Sequence, residues 1–271
     1  MSDYYTSKPV EDIRGAYTVA GCNAVVTGGS RGIGYGIAEA FAQGGANVAI
    51  LDIAAEAAAE SADALSKKYD GKFAAFPVDI SDEGSVLAAK AKVFGFFGHV
   101  DVLVNNAGVA PRIDFLDEGG LKEWRRVIDV DLHGVANMVY HFAPEMKKNT
   151  AGGSIINISS IGSKNVSESK THPNSPYNVA KAGVDIFTQY LAIVLGDYGI
   201  RVNAILPGPT HTDLDKNLPE ETKASFYEKM PVHRFGEPLE IGALAVFLAS
   251  PLGVQITGTN IPHDGGMLVA W

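Results

Sequence analysis

From about residue 22 onward the sequence alternates short apolar runs with longer amphipathic segments, and no other feature constrains the fold as much. The runs are apolar at consecutive positions: Asn23 to Thr27 reads N-A-V-V-T, and Ser154 to Ser159 reads S-I-I-N-I-S. A strand that is apolar on both faces must be covered on both, which is the condition of a parallel sheet between two helical layers. Strands are expected at Asn23–Thr27, Ala46–Leu51, Phe73–Val78, Val100–Asn105, Ser154–Ser159, Arg201–Leu206 and Thr259–Pro262. Helices are expected at Gly34–Gly44, Ala54–Tyr69, Gly84–Phe97, Gly120–Met146, Tyr177–Tyr198 and Glu237–Ala249. Right-handed crossovers then give an α/β doubly wound domain with a parallel sheet of about seven strands. Ligands of such a sheet sit beyond the carboxyl ends of its strands, so functional residues are expected just after strands.

Composition excludes several classes. With 271 residues, 46% hydrophobic and 20% charged, the chain can bury a sizeable core. Lys plus Arg is 22 against 31 Asp plus Glu, a net charge of −9, which argues against a nucleic-acid partner. Cys22 is the only cysteine, so an intramolecular disulfide and a thiolate zinc cluster are both excluded. His211 has no second histidine at ligand spacing, and no metal is expected. No run of about 18 uncharged apolar residues occurs, so no membrane span is expected. Residues 1–15 carry Asp3, Glu11 and Asp12 and lack an apolar stretch, so a cytoplasmic protein is expected.

Two local patterns carry chemistry. The first strand runs into Thr27-Gly28-Gly29-Ser30-Arg31-Gly32-Ile33-Gly34, which opens a helix. Backbone N–H groups at such a junction bind phosphate, and glycines allow close approach. The glycines at 28, 32 and 34 do not match G-x-G-x-x-G, and no Lys-Ser/Thr follows as in a P-loop. A ligand-free turn remains the alternative. Asp52 ends the second strand, where a carboxylate can accept from ribose hydroxyls and repel a 2′-phosphate; a turn or helix cap is its alternative use. It favours NAD(H), while Arg31 in the turn leaves NADP(H) open. The second pattern is Tyr177-Asn178-Val179-Ala180-Lys181, which places a phenol and an ammonium on one helix face. A cation near a phenol favours its anion. Ser159 and Ser160 end the fifth strand, where a hydroxyl could meet a substrate oxygen.

Together these residues resemble the short-chain dehydrogenase/reductase family, in its shorter single-domain branch with a Rossmann-type fold. T-G-x-x-x-G-x-G, N-N-A-G at Asn105–Gly108, the serine, Y-x-x-x-K and P-G at Pro207–Gly208 stand in the family's order. The resemblance covers the chain from about Gly21 onward and implies one domain over residues 1–271. It implies that Gly28, Gly32 and Gly34, with Ser30, Arg31 and Ile33 between them, form the pyrophosphate turn. Asp79 and Ile80 would meet the adenine, and Asn106, Ala107 and Gly108 would line the cofactor. Tyr177 would be the general acid or base, and Lys181 would tune it and hold ribose. Ser160, rather than Ser159, matches the family's serine. Pro207, Gly208, Thr210 and Thr212 would hold the nicotinamide, and residues 209–236 would be a substrate lid. The implied reaction is hydride transfer between nicotinamide and a secondary alcohol or ketone.

Two departures stand out. Val130-Asp131-Leu132-His133-Gly134 has Asp131 where the family usually has asparagine. If ionised, Asp131 would pair with Lys181 and weaken its effect on Tyr177; the alternative is that Asp131 does the asparagine's work with little change. The other departure is a long polar segment, residues 163–176, between Ser160 and Tyr177, suited to a hydroxyl-rich substrate or simply to a solvated surface. The D-G-G ending and Trp271 are similar to members acting on polyols and ketoses; the terminal Trp is expected to pack on a neighbour or near a pocket. A keto-ester carbonyl reductase and a 3-oxoacyl-thioester reductase are alternatives, the acidic charge counting against the second. A nucleotide-sensing module without chemistry is the alternative of another class. The resemblance also implies a homodimer or homotetramer, and Ile186, Tyr190 and Val194 form a stripe that is either core or interface.

Overall fold

The computed structural model describes residues 16–111, 113, 115–166, 174–213 and 220–270. The expectations for Trp271, for part of the polar segment (167–173) and for part of the lid (214–219) lie outside the described residues. Seven parallel strands form one sheet: β1 (Asn23–Thr27), β2 (Asn47–Asp52), β3 (Phe73–Pro77), β4 (Val102–Asn105), β5 (Gly153–Ile158), β6 (Ile200–Pro207) and β7 (Asn260–His263). Their spatial order is β3-β2-β1-β4-β5-β6-β7. The order reverses at β1, which pairs with β2 on one side and β4 on the other, so a crevice opens beyond their carboxyl ends.

Alternation of side chains along the strands splits the core into two layers. Ala24, Val26, Val48, Ile50 and Val104 face α1 (Gly32–Gln43), α2 (Ala55–Lys68) and α8 (Pro238–Ala249) through Ile37, Phe41, Leu65 and Ile241. Val25, Ala49, Leu51, Leu103 and Ile155 face α3 (Glu83–Phe97), α5 (Gly134–Met146) and α6 (Ser175–Gly196) through Val93, Phe142 and Leu191. The consecutive apolar positions of the sequence are this double burial. The remaining helices are α4 (Gly120–Ile128), α7 (Glu220–Lys229) and the short α9 (Met267–Ala270). By length and composition α6 is apolar enough to cross a bilayer, yet it lies along the sheet with Lys181, Asp185 and Thr188 buried on its inner face.

Local chemistry sets the helix ends. Asp82 caps α3 by accepting from the Gly84 and Ser85 amides. Glu237 and Glu240 form a reciprocal capping box at α8, with Pro238 in its first turn. The one helix expected over 120–146 is two: α4 and α5 join through a π-helical turn at Asp129–His133. There the Gly134 amide donates to the Asp129 carbonyl five residues back. The extra residue in this turn accompanies the complete burial of Asp131. The helix expected to begin at Gly34 begins at Gly32, because the chain is extended only up to Arg31.

Helices α1 and α8 lie unusually close. A Cβ on Gly242 would stand 2.6 Å from both Ala40 Cβ and the Gly36 carbonyl oxygen, and one on Gly36 would run into Pro238. Gly242→Val should therefore lower the unfolding free energy by about 1–3 kcal/mol, read from urea midpoints. An unchanged midpoint would show that the two helices separate without cost.

Candidate active site

The glycine turn leaves β1 at Thr27 and enters α1. Gly28 has φ +62°, and a Cβ there would lie 2.8 Å from Ala107 Cα, so both the backbone and the space call for glycine. The turn is laced to the chain after β4. Thr27 Oγ1 accepts from the Asn106 and Ala107 amides at 2.9 and 3.0 Å. Asn106 Nδ2 donates to the carbonyls of Thr27 (2.9 Å) and Gly28 (3.1 Å). The amide nitrogen of Asn106 thus helps to hold the turn.

The arrangement fits an anionic dinucleotide. No side chain caps α1, and its first turn carries no acidic residue, so the amides that open the helix can meet a phosphate. Arg31, at the cap position, is exposed. Asp52 at the end of β2 accepts the Ser30 amide on Oδ2 (3.1 Å) and the Ala54 amide on Oδ1 (3.0 Å). A carboxylate so held keeps acceptor capacity on both oxygens. Asp79 Oδ1 accepts from the Ser81 amide (2.9 Å) and hydroxyl (2.6 Å). The neighbouring Ile80 carbonyl accepts from Asn137 Nδ2 of α5 at 2.9 Å. Beyond β6, the Gly208 amide donates to the His263 carbonyl and Thr210 Oγ1 donates to the Gly208 carbonyl. The side chain of Thr212 reaches back to within 3.4 Å of where a Cβ on Gly32 would stand. The segments after β1, β2, β3, β4 and β6 thus all sit on the carboxyl edge of the sheet.

The groups expected to carry the chemistry come from the end of β5, from α6 and from the π turn. Lys181 is buried, and its Nζ donates to the Ile158 carbonyl at 3.0 Å. Asp131 Oδ2 lies 3.2 Å from the same Nζ, a charge contact rather than an aligned hydrogen bond. Asp131 Oδ1 accepts the Val109 amide at 2.8 Å. Gly108 closes over the pair and leaves no room for a side chain, since a Cβ there would stand 2.6 Å from Asp131 Oδ2. Burial works against the ammonium, but the charges of Asp131, Tyr177 and Asp185 outweigh it and raise the Lys181 pKa above the ordinary lysine value. Burial also pushes the Asp131 carboxyl up, and Lys181 and the Val109 amide pull it part of the way back. The two groups thus stand within ion-pair distance of each other. Lys181 Nζ stands 5.4 Å from the centre of the Tyr177 ring, one helical turn away.

The two serines after β5 differ. Ser159 is buried and donates to the Lys181 carbonyl at 3.1 Å. Ser160 is half-buried, and its Oγ accepts the Gly162 amide at 3.1 Å, capping a 3-10 turn at Ile161–Ser163. Sequence reading missed Asp185 on α6, whose Oδ2 meets Ser163 Oγ at 2.6 Å and Lys164 Nζ at 2.9 Å. An acidic residue on the buried face of an apolar helix was its only signal. Between 209 and 236 the chain is pinned at its base: the His211 amide donates to the Gly236 carbonyl and the Gly236 amide to the Pro209 carbonyl. The ring of His211 packs 5.2 Å from Phe235, against which Phe226 and Tyr227 of α7 also lie.

A family model described as enoyl-(acyl carrier protein) reductase matches residues 28–268. The 3-oxoacyl-[acyl-carrier-protein] reductase FabG of Chlamydia muridarum is 41% identical over 244 residues, 90% of this chain and 96% of that protein. Sorbose reductase SOU1 of Candida albicans is 36% identical over 255 residues, 92% of this chain and 88% of that protein. Among solved structures, the RhlG/NADP active-site complex of Pseudomonas aeruginosa superposes with a TM-score of 0.86 at 30% identity, covering 93% of this chain and 98% of that one. With the glycine turn, the Tyr177–Lys181 pair and these likenesses over nearly its whole length, the chain belongs to the short-chain dehydrogenase/reductase family.

Proposed function

We propose that the protein interconverts a secondary alcohol and a ketone with a nicotinamide dinucleotide, and that its substrate is a polyol, ketose or similar hydroxylated compound. The observation that carries this reading is the clamped Lys181 one turn from Tyr177, at the carboxyl edge of the sheet where Ser160 follows β5. A bound nicotinamide would give or accept the hydride. Tyr177 Oη passes a proton to the substrate oxygen in reduction and takes one from the carbinol in oxidation. Lys181 holds the phenol's field and a ribose hydroxyl, and Ser160 Oγ orients the substrate oxygen. Asp131 fixes Lys181 and offsets part of its charge. Gly28, Ser30, Gly32, Ile33 and Gly34 take the pyrophosphate. Asp79 and Ile80 take the adenine, and Ala107, Gly108, Pro207, Gly208, Thr210 and Thr212 line the nicotinamide end. The chain between 209 and 236 is a lid over the substrate.

The likeness to sorbose reductase and the polar residues around Ser163 support a hydroxylated substrate. The FabG likeness favours a second reading, reduction of a 3-oxoacyl thioester. Asp52 favours NAD(H), with Arg31 as the residue through which NADP(H) could enter. Ile186 and Tyr190 of α6, the stripe left open between core and interface, are exposed at 66% and 58%, and Ile193 beside them at 79%. We assign this face to contact between copies of the chain in a homodimer or homotetramer.

Tyr177→Phe should lower turnover by about 10²-fold or more in both directions, measured as NADH absorbance at 340 nm with ketoses and simple ketones. Retained turnover would remove the proton-transfer role. Asp131→Asn leaves the ammonium's field on the phenol unopposed, so the rising limb of the oxidation pH profile should move to lower pH. It also removes the charge that keeps Lys181 protonated, so a falling limb moves the same way. A stationary profile would show that the carboxylate's charge does not reach Tyr177. Asp52→Ser should shift the NADH-over-NADPH preference by about tenfold toward NADPH, read from the two kcat/KM values.

A further inference from the structure

We propose that Asp185 is a positioning residue for Ser160, acting through Ser163 and Lys164. This extends the reading of Ser160 as the hydroxyl that meets the substrate oxygen, and it rests on that reading. Ser160 opens the 3-10 turn Ile161–Ser163. The strand end before it is tied to α6 through Ser159 and the Lys181 carbonyl, and two further residues of α6 meet the turn itself. At one end Gly162 sits so close to α6 that a Cβ would stand 2.6 Å from Asn178 Oδ1. At the other end, two helical turns along, Asp185 Oδ2 lies 2.6 Å from Ser163 Oγ and 2.9 Å from Lys164 Nζ. Ser163 Oγ is also 2.7 Å from the Ser160 carbonyl oxygen, so its single proton is held between that carbonyl and the Asp185 carboxylate. The chain of contacts runs from α6, through Asp185 and Ser163, to the backbone of Ser160.

The helix that is clamped in this way carries Tyr177 and Lys181, so the clamp sets Ser160 against the residues it works with. A purely structural purpose accounts poorly for the choice of residue. Asp185 is 1% exposed, and its Oδ1 has no hydrogen-bond partner among the described residues. A buried carboxylate paired only through one oxygen, to a lysine that is 43% exposed, is weak support for folding. An apolar residue would fill the position at no greater cost but could not hold Ser163. The geometry therefore points to placement of the turn as the work of this side chain.

A double-mutant cycle with Ser160 tests the proposal. Asp185→Ala should lower kcat by about tenfold or more, because small displacements of a positioned group cost that much, while KM for the dinucleotide stays unchanged. In a Ser160→Ala background the same change should cost nothing further. Asp185→Asn keeps an acceptor for Ser163 and should recover most of kcat, and Ser163→Ala should reproduce the loss. Amide hydrogen exchange gives a reading that does not depend on turnover: the Ser163 and Lys164 amides should lose protection in Asp185→Ala and keep it in Asp185→Asn. Independent, multiplicative losses in the cycle, or unchanged exchange in Asp185→Ala, would overturn the proposal. A Ser160→Ala variant with wild-type turnover would instead overturn the role given to Ser160, and the exchange measurement would still decide whether Asp185 holds the turn. Should Asp185→Ala fail to fold, Asp185→Asn and Ser163→Ala carry both measurements.

Discussion

A lysine ammonium with almost no access to water is the constraint around which the site is built. Removing such a charge from water costs several kcal/mol unless close partners replace the lost hydration. Among the described residues Lys181 has two, the Ile158 carbonyl at the end of β5 and the Asp131 carboxylate. Each partner imposes a condition on the chain. The carbonyl requires α6 to lie against the end of β5, and the Ser159 hydroxyl helps by bonding the Lys181 carbonyl. The carboxylate must enter from the α4–α5 junction, where the π turn stands. The space directly above must remain empty of side chain, and Gly108 meets that need.

The sheet supplies the edge on which these conditions are met. Because the strand order reverses at β1, the segments following β1 and β4 are neighbours, and Thr27 and Asn106 fasten them together through four hydrogen bonds. The glycine turn and the strand that leads to Gly108 are consequently one unit. Asp52 bonds the same turn through the Ser30 amide, so β2 is tied in as well. The segments proposed to meet the cofactor come from separate parts of the sequence and are thereby held at fixed spacing, which would lower the cost of ordering on binding.

Much of this was legible in the sequence because its signals are local. Strands buried on both faces appear as unbroken apolar runs. The glycine turn and the Tyr177–Lys181 spacing need only a few residues each to be recognised, and the unusual Asp131 stood out against the family pattern. The π turn was not legible, because one extra residue barely disturbs an apolar helical periodicity that continues through Val127 and Val135. The structural use of the Asn106 amide nitrogen was not legible for a related reason: whether it meets the neighbouring backbone depends on how two distant strands abut. Asp185 and Ser163 are separated by 22 positions and meet only after α6 folds back over β5, so no local pattern links them.

The paired backbone bonds joining Pro209 and His211 to Gly236 have a thermodynamic consequence. They bring the two feet of the intervening chain together, so the entropy of closing a loop of that length is lost once, when the domain folds. Any rearrangement above those feet is then the motion of a hoop on a fixed base rather than of a free tether. Its range is bounded by that base, and in the proposed role as a lid only the local freedom of its own residues would be left to give up.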